Sequence, residues 1–226
     1  MPTNDNKTAA FRTSYRKEFI GPRYSGAMHF WFTTLSCLVV ITTCLLLIHE
    51  PNWKEWLIVP IGFLYINLAE YLGHKGPMHH RKEALSKVFE RHTLQHHRFF
   101  TDTEFSFDQP EDAKAVLFPP VLLLFFFFAF ALPAAAVFYF LWSANAALIF
   151  MATIIAYYLN YEWLHYAYHL PDSHWVSGLP FIKQLRRLHH AHHNPKLMAK
   201  YNFNITYPIF DFLFGTLYRE EKSTLR

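Results

Sequence analysis

Long apolar runs alternate with polar stretches along the chain, and the apolar runs have the length of membrane-spanning helices. The first run, Phe30–Ile48, contains nineteen residues and no charge. At 1.5 Å per residue, such a helix is about 28 Å long, close to the hydrocarbon thickness of a bilayer. A connector over His49–Glu55, which contains the turn formers Pro51 and Asn52, separates it from a second span over Trp56–Leu72. These runs predict a helical hairpin in the membrane.

A second hairpin is predicted after the polar stretch Gly73–Lys114. The third apolar run begins near Val116 and continues to about Leu132. We predict a turn near residues 133–145 and a fourth span from about Ala144 to Tyr161. The fold class expected is therefore an all-α integral membrane protein, with about four transmembrane helices in two hairpins.

The loop charges predict the orientation. Of the 21 Lys and Arg residues, only Lys54 lies in a loop on the far side of the predicted hairpins. Because cytoplasmic loops carry the excess of Lys and Arg, we expect both termini and the long polar stretches on the cytoplasmic side. The net charge of +4 is then explained by topology and by attraction to anionic lipid, and nucleic-acid binding is not expected.

The composition agrees with a membrane protein and excludes two other classes. The chain is 52% hydrophobic, 19% aromatic and 17% charged, whereas soluble domains are near 25% charged. Intrinsic disorder requires the opposite balance. The only cysteines, Cys37 and Cys44, lie in an apolar run, so a disulfide scaffold is excluded. We expect a cytosolic N-terminal segment over residues 1–28 and a single membrane-embedded catalytic domain over residues 29–226.

Histidine carries the candidate chemistry, because the chain has 15 and most are grouped at helical spacing on the predicted cytoplasmic side. Residues three or four apart share one face of a helix, so each group can direct two or three imidazoles to one point. One metal ion cannot use ten imidazoles, whereas two can, and imidazole suits Fe, Zn, Cu or Ni. The ten candidate ligands, in four groups, are His74 and His79; His92, His96 and His97; His165 and His169; and His189, His192 and His193.

Two glutamates near the predicted ends of spans are candidates for supporting these ligands. Neutral imidazoles leave the charge of two divalent ions without compensation, which nearby carboxylates would provide. Glu70 lies four residues before His74, and Glu162 lies three before His165. An ordinary interfacial position, with the carboxylate reaching the lipid head groups, is an equal alternative.

The remaining histidines are expected to play no part in metal binding. We interpret His29, His49 and His174 as ordinary polar residues, and His80 and His190 as spare members of adjacent pairs. Unperturbed imidazole protonates near pH 6.5, so metal binding is expected to weaken below about pH 6.

The order of these histidine boxes resembles the fatty acid hydroxylase/sterol desaturase superfamily of membrane di-iron enzymes. The superfamily pattern is His-x3-4-His, His-x2-3-His-His, His-x3-His and His-x2-3-His-His, and all four elements are present in this order. The likeness covers roughly residues 25–218 and includes weaker matches in Asp112–Pro120, Asn202–Asn204 and Ile209–Thr216. Asn204 and Asp211, within these stretches, are further candidates for supporting the ligands.

The resemblance implies a cytosolic helical cap that holds two Fe ions, and O2-dependent attack on an unactivated C–H bond of a membrane lipid. Zinc can replace iron in purified samples. Reducing O2 to water takes four electrons and hydroxylation draws only two from the C–H bond, so an external donor is needed. Some members carry a fused cytochrome b5 domain. With only about 28 polar residues before the first span, we expect a separate donor, either a cytochrome b5-like protein or a ferredoxin with its reductase.

The sequence therefore predicts a monooxygenase that hydroxylates a fatty-acyl chain or related lipid. Sterol or lipid desaturation and carotenoid hydroxylation remain alternatives, because they share the first hydrogen abstraction. An alternative from another class is a zinc-binding membrane hydrolase or structural protein, since zinc has no redox chemistry. We expect a bacterial inner membrane, or the endoplasmic reticulum if the protein is eukaryotic.

Overall fold

The computed structural model describes residues 4–219, and every regular element in that range is helical. The main helices are α1 (Asn4–Phe19), α2 (Gly26–Leu47), α3 (Ile58–Gly73), α4 (Pro120–Phe126), α5 (Leu132–Leu141), α6 (Ala144–Tyr168), α7 (Pro180–His192) and α8 (Ile209–Leu213). Short helical segments connect them at Glu55–Leu57, His74–Met78, Glu83–Leu85, Ser86–Phe89, Glu90–His96, His97–Phe99, Pro110–Ala115, Phe127–Ala131 and Trp175–Gly178.

Four helical stretches in the described range are long and apolar enough to cross a membrane. Their outward faces carry large apolar side chains; Leu46, Phe140 and Leu141 are 80%, 81% and 82% exposed. Contiguous apolar surface of this kind is unfavourable in water and favourable in lipid. The predicted all-α membrane fold is confirmed. The four stretches are Gly26–Leu47, Glu55–Met78, Pro110–Leu141 and Ala144–Tyr168.

The third span is longer than predicted. It continues through α4, the π-helical segment Phe127–Ala131 and α5 to Leu141, instead of ending near Leu132. Pro133 does not end the helix because it lies in the first turn of α5, directly after the π-helical segment. The Leu132 N–H donates to the Phe127 carbonyl, the i→i+5 bond of a π-helix, and this widened turn accommodates the proline and its missing N–H within a continuous helix.

The fourth span is also longer than predicted. It begins at Ala144, as expected, but ends at Tyr168 rather than near Tyr161. The Ser143 side chain caps the N-terminus of α6 by accepting a hydrogen bond from the Ala146 N–H at 3.0 Å. The additional turns therefore place Glu162 and His165 on the same continuous helix as the membrane core.

Helix α6 is the centre of the membrane core. It packs against α2, α3 and α5, and buried residues recur around its circumference, as expected for a helix surrounded by others. Cys37 and Cys44 of α2 and Ile58 of α3 belong to the same core. The core residues of α6 are Ala146, Ile149, Phe150, Met151, Ala152, Ile154, Ile155 and Leu159.

Helix α1 packs on the polar cap, by which we mean the short helical segments and loops between α3 and the third span together with the chain that follows α6. Arg12 is only 3% exposed, and its Nε donates to the Phe99 carbonyl at 2.8 Å. The same guanidinium donates to the Glu104 carbonyl at 2.6 Å and pairs with the Asp108 carboxylate at 2.9 Å. The loop after Phe99 is thereby held against α1.

Gly26 marks a close approach between α2 and the segment before the third span. A Cβ at this position would lie 2.1 Å from the Pro110 carbonyl oxygen. Because that oxygen belongs to the backbone, Gly26→Ala is expected to lower the free energy of unfolding by about 1–3 kcal/mol. Gly21→Ala is the matched control, since no atom lies within 4 Å of its Cβ position. Thermal unfolding in detergent measures the difference, and equal midpoints would contradict this packing.

Candidate metal centre

The histidine boxes lie at helix ends and in the helical segments that follow the second span. His74 directly follows α3, and Glu90–His96 is π-helical. The His97 N–H donates to the His92 carbonyl, the i→i+5 bond of a π-helix, which places His97 over His92. His165 lies in the last turn of α6 and His169 directly follows the helix. The last turn of α7 carries His189 and His192, and His193 directly follows it.

Nine of the ten predicted ligands form two buried groups in which the ligand atoms lie within 4.8 Å of one another. The tenth, His193, adjoins both groups. Its Nε2 lies 3.1 Å from that of His189, and its ring stacks on His97 with the centroids 4.3 Å apart. Group one contains His74, His79, His92, His97 and His192, and group two contains His96, His165, His169 and His189.

The two groups do not coincide with the histidine boxes of the sequence, because two of the four boxes contribute histidines to both groups. His92 and His97 enter group one, whereas His96, between them in sequence, enters group two. The last box divides likewise, since His192 joins group one and His189 joins group two. Each of these boxes therefore connects the two groups, which lie side by side.

Backbone carbonyls determine the tautomers of five of these rings. A carbonyl oxygen only accepts hydrogen bonds, so the Nδ1 that faces it carries the proton and the Nε2 keeps a lone pair. The five pairs are His74 with Phe203 at 2.5 Å, His96 with Ala115 at 3.0 Å, His169 with Phe105 at 2.7 Å, His192 with Tyr201 at 2.8 Å and His193 with Phe100 at 2.6 Å.

The Nε2 atoms converge within each group. In group one the Nε2 of His74 lies 2.8 Å from that of His92, and the Nε2 of His79 lies 2.9 Å from that of His192. In group two the His165–His96 and His169–His189 distances are both 3.2 Å. In each of these four pairs one ring keeps its Nε2 lone pair, because a carbonyl holds the proton on its Nδ1. Neutral imidazoles whose Nε2 atoms converge in this way are common metal ligands. The residues therefore fit a metal ion in each group.

Burial keeps these imidazoles in the neutral form that binds metals. Burial lowers the pKa of His79 to about 2 and that of His192 to about 4. Burial also lowers the pKa of His96 and His97 well below 6.5, and neighbouring histidines lower it further. Protons therefore compete weakly for these nitrogens.

The low pKa values of the buried histidines change the pH dependence expected for metal binding. Instead of weakening below about pH 6, metal binding should persist at about pH 5. A histidine whose folded-state pKa is below the unfolded value near 6.5 contributes stability that is complete above about pH 6.5. This stability is lost as the pH falls toward the folded-state pKa, which for His192 is about 4. Metal analysis after dialysis at decreasing pH is the measurement. Loss of most of the metal near pH 6 would show that protons reach the ligands.

Glu70 supports the segment that covers group one. Its carboxylate accepts hydrogen bonds from the N–H groups of Ile205 and Thr206 at 2.5 and 3.0 Å. It also accepts from the hydroxyls of Thr206 and Tyr157. These bonds hold backbone rather than a histidine ring, and they fix the segment that follows Phe203, whose carbonyl faces His74.

Asp211 and Asn204 hold the same segment from its other side. Asp211 accepts from the N–H groups of Phe203 and Asn204 at 2.9 and 2.7 Å, and burial raises the pKa of its carboxyl. The Asn204 amide donates to the Asn67 carbonyl at 2.9 Å. Since the Phe203 carbonyl orients His74, both residues position a candidate ligand through the backbone.

Glu162 connects α6 to the start of the third span. Its Oε2 accepts from the Phe118 N–H at 3.2 Å, and its side chain lies one helical turn before His165. An influence of Glu162 and the other three supporting residues on a bound metal stays a prediction.

The other five histidines lie outside both groups. His29 contacts the Tyr24 hydroxyl and the Phe118 carbonyl, at 2.9 and 3.1 Å. His80 and His190 are exposed and bond to carbonyls of Lys75 and Asp102. His49 is exposed, and His174 caps the short helix at Trp175–Gly178.

Sequence reasoning missed Arg91 and the role of Tyr157. Arg91 donates to the carbonyls of Lys114 and Leu117, on either side of the Ala115 carbonyl that orients His96. No local pattern marks this arginine. Tyr157 lies eight residues before His165 on the same face of α6. This spacing could have indicated that Tyr157 lies below the histidine cluster.

A cavity of about 300 Å³ reaches both groups. His92 of group one and His96 and His165 of group two lie in its wall. Lys87 and Arg91 are its cationic lining residues, and most of the others are apolar. The apolar part comprises Met78, Val88, Ala115, Val116, Phe118, Pro119, Val121 and Leu122.

The fold and these clusters define an all-α membrane protein with a buried histidine-rich site. The family model of the fatty acid hydroxylases matches residues 59–216, and the chain belongs to this family. The resemblance seen in the order of the histidine boxes is thereby confirmed.

One solved structure is similar in fold, and its description is full-length Scs7p with only the hydroxylase domain visible. It has a TM-score of 0.58 and 19% sequence identity, over 84% of this chain and 67% of that chain. At this identity the likeness concerns the fold alone. None of the curated proteins compared matches this chain.

Proposed function

We propose that this protein uses O2 to hydroxylate the acyl chain of a membrane lipid at a non-haem di-iron centre. The observation that carries the proposal is the largely apolar cavity whose wall contains His92, His96 and His165, from both groups. A cavity of this kind binds an apolar chain beside the metal positions and excludes water from them. Membership of the fatty acid hydroxylase family supports the reaction class.

The number and spacing of the nitrogens favour ions with more than four ligands. A metal–nitrogen bond of about 2.05 Å separates neighbouring nitrogens by about 2.9 Å at right angles and about 3.3 Å in a tetrahedron. The separations in group one are 2.8 to 3.2 Å. Five imidazoles also exceed the four ligands of a structural zinc site. Group one therefore fits Fe better than zinc, whereas the four imidazoles of group two, with separations of 3.2 Å, suit either ion. We assign Fe to both groups because the proposed O2 chemistry needs a redox metal, although zinc can replace iron in purified samples.

The chain itself orients the ligands and places the substrate. When bound, iron supplies the redox chemistry that activates O2 as co-substrate. The carbonyls of Phe203 and Ala115 hold the rings of His74 and His96 with their Nε2 lone pairs inward. Val116 and Leu122 belong to the apolar wall that aligns an acyl chain beside the histidines.

We further propose a separate electron donor, either a cytochrome b5-like protein or a ferredoxin with its reductase. O2 reduction needs two electrons beyond those of the C–H bond. We place the termini and the histidine boxes on the cytoplasmic side, because Lys54 is the one Lys or Arg in a far-side loop. The membrane is then a bacterial inner membrane, or the endoplasmic reticulum in a eukaryote.

Lipid mass spectrometry tests the proposed reaction. Cells that express this chain with a donor system under air are compared with cells that express the His165→Ala/His192→Ala variant. We expect one lipid class to gain an oxygen atom only with the intact chain. Loss of two hydrogens would instead identify a desaturase. Unchanged lipids, with metal bound and the donor active, would contradict the oxygenase and favour a zinc hydrolase or structural protein.

A further inference from the structure

A second cavity, of about 470 Å³, lies between three membrane helices, α2, α3 and α6. Each helix forms one wall, which is lined among others by Ile41 on α2, Phe63 on α3 and Ala156 on α6. It shares no lining residue with the cavity at the histidines, and within the described chain its lining contains no charged residue. We call this cavity the membrane groove.

The membrane groove has the length of one leaflet and opens where lipid lies. Along α6 it extends from Ile149 to Asn160, a rise of about 16 Å at 1.5 Å per residue, or half of the ~30 Å hydrocarbon core. Leu45, Trp56 and Val59 line it and are 49%, 45% and 40% exposed. Its side toward the bilayer is thus accessible to an acyl chain and unfavourable for a polar ligand.

One end of the membrane groove carries polar groups that are able to bind a head group. The Asn160 side-chain N–H donates to the Tyr207 hydroxyl at 3.2 Å. The Tyr207 hydroxyl therefore has its own proton to donate, and the Asn160 side-chain carbonyl is able to accept. A hydroxyl or amide at the beginning of an acyl chain matches this donor and acceptor. A phosphate would require a cation, which the lining does not supply.

We propose that the membrane groove is a lipid-binding site separate from the catalytic cavity. Its ligand is a membrane lipid with an uncharged hydroxyl or amide head group at Asn160 and Tyr207, and one acyl chain between α2, α3 and α6. In the proposed orientation the head-group end of the groove points toward the cytoplasmic side, and the chain runs toward Leu45 and Trp56 near the far-side ends of α2 and the second span. The site itself does not depend on this orientation.

The membrane groove adjoins the hydrogen bonds by which Glu70 holds the segment beside group one. The side chain of Tyr157 lines the groove, and its hydroxyl donates to Glu70, which holds Ile205 and Thr206. A bound lipid restrains Tyr157 against this network. We therefore expect the lipid to raise the thermal unfolding temperature, as any ligand of the native state does.

Photolabelling in nanodiscs tests the site. The probe is a diacylglycerol with a diazirine in the middle of one chain, and labelled positions are mapped by peptide mass spectrometry. We expect labels concentrated around Thr153 and Ala156. Ala156→Trp and Val59→Trp, which fill the groove from opposite walls, should remove this labelling. Leu46→Trp, at a position 80% exposed on the outer face of α2, should not.

The head-group assignment is tested with the same reagents. Asn160→Ala and Tyr207→Phe should reduce diacylglycerol labelling to the level of a diazirine fatty acid methyl ester, which has no hydroxyl. Labelling that is even over all lipid-facing surfaces would overturn the site, and absent labelling of the groove together with a dimer of the chain in the nanodisc would assign it to self-association. Because labelling needs neither donor nor turnover, a missing hydroxylase activity would not affect this result.

Discussion

His92→Ala is expected to remove the metal of group one and to lower lipid hydroxylation by more than about 100-fold, since changes behind a ligand already cost 10–100-fold. The His92 Nε2 lies within 3.2 Å of the Nε2 atoms of His74, His79 and His97. Its removal therefore opens the centre of group one toward the cavity. Metal analysis by mass spectrometry and the lipid assay measure both effects. His165→Ala should have the corresponding effect on group two.

His80→Ala and His190→Ala are the matched controls for these variants. Both residues are exposed and lie next to candidate ligands in sequence, at positions 79 and 189. We expect unchanged metal content and activity within a few-fold. An equal loss in His80→Ala would place that histidine among the ligands and contradict the grouping.

Glu70→Ala is expected to destabilise the protein and weaken metal binding in group one specifically. Four donors, two backbone N–H groups and two hydroxyls, lose their shared acceptor. The residues that carry them, Ile205, Thr206 and Tyr157, are buried. At about 1–3 kcal/mol per unsatisfied group, the free energy of unfolding should fall by several kcal/mol. Metal affinity in group one should fall by about 10–100-fold.

Variants of smaller effect separate this support from general instability. Tyr157→Phe removes one of the four donors and should cause a smaller loss. Glu162→Gln alters a carboxylate that holds the Phe118 N–H and should spare group one. Glu70→Gln places an NH2 group among the four donors, so wild-type metal affinity and stability in that variant would contradict the proposed role of the carboxylate.

The cap owes its shape to interactions that join distant parts of the chain. Arg12 of α1 holds the loop that contributes the Phe100 and Phe105 carbonyls, and these orient His193 and His169. The polar N-terminal stretch was expected only as a cytosolic segment. The burial of Arg12 on one face of α1 depends on a surface formed by residues about ninety positions later, which no local pattern reveals.

The sequence by itself determined the four spans, their approximate limits, the ten candidate ligands and the family. Each follows from local properties, because apolar runs of bilayer length form spans and histidines three or four apart share a helix face. The predicted C-terminal end of the third span was wrong. Pro133 follows a π-helical segment there, and whether a helix continues through a proline depends on the preceding turn.

Only the tertiary structure decided how the histidines are shared between two sites, what orients them and how easily they protonate. The Nε2 atoms of His79 and His192 lie 2.9 Å apart, although the two residues are 113 positions apart in the sequence. Their low pKa values come from burial, which the assembled fold produces. The carbonyls that set the ring tautomers are backbone atoms present at every residue. Spacing therefore predicts the candidate ligands, whereas the packing of distant segments selects their partners.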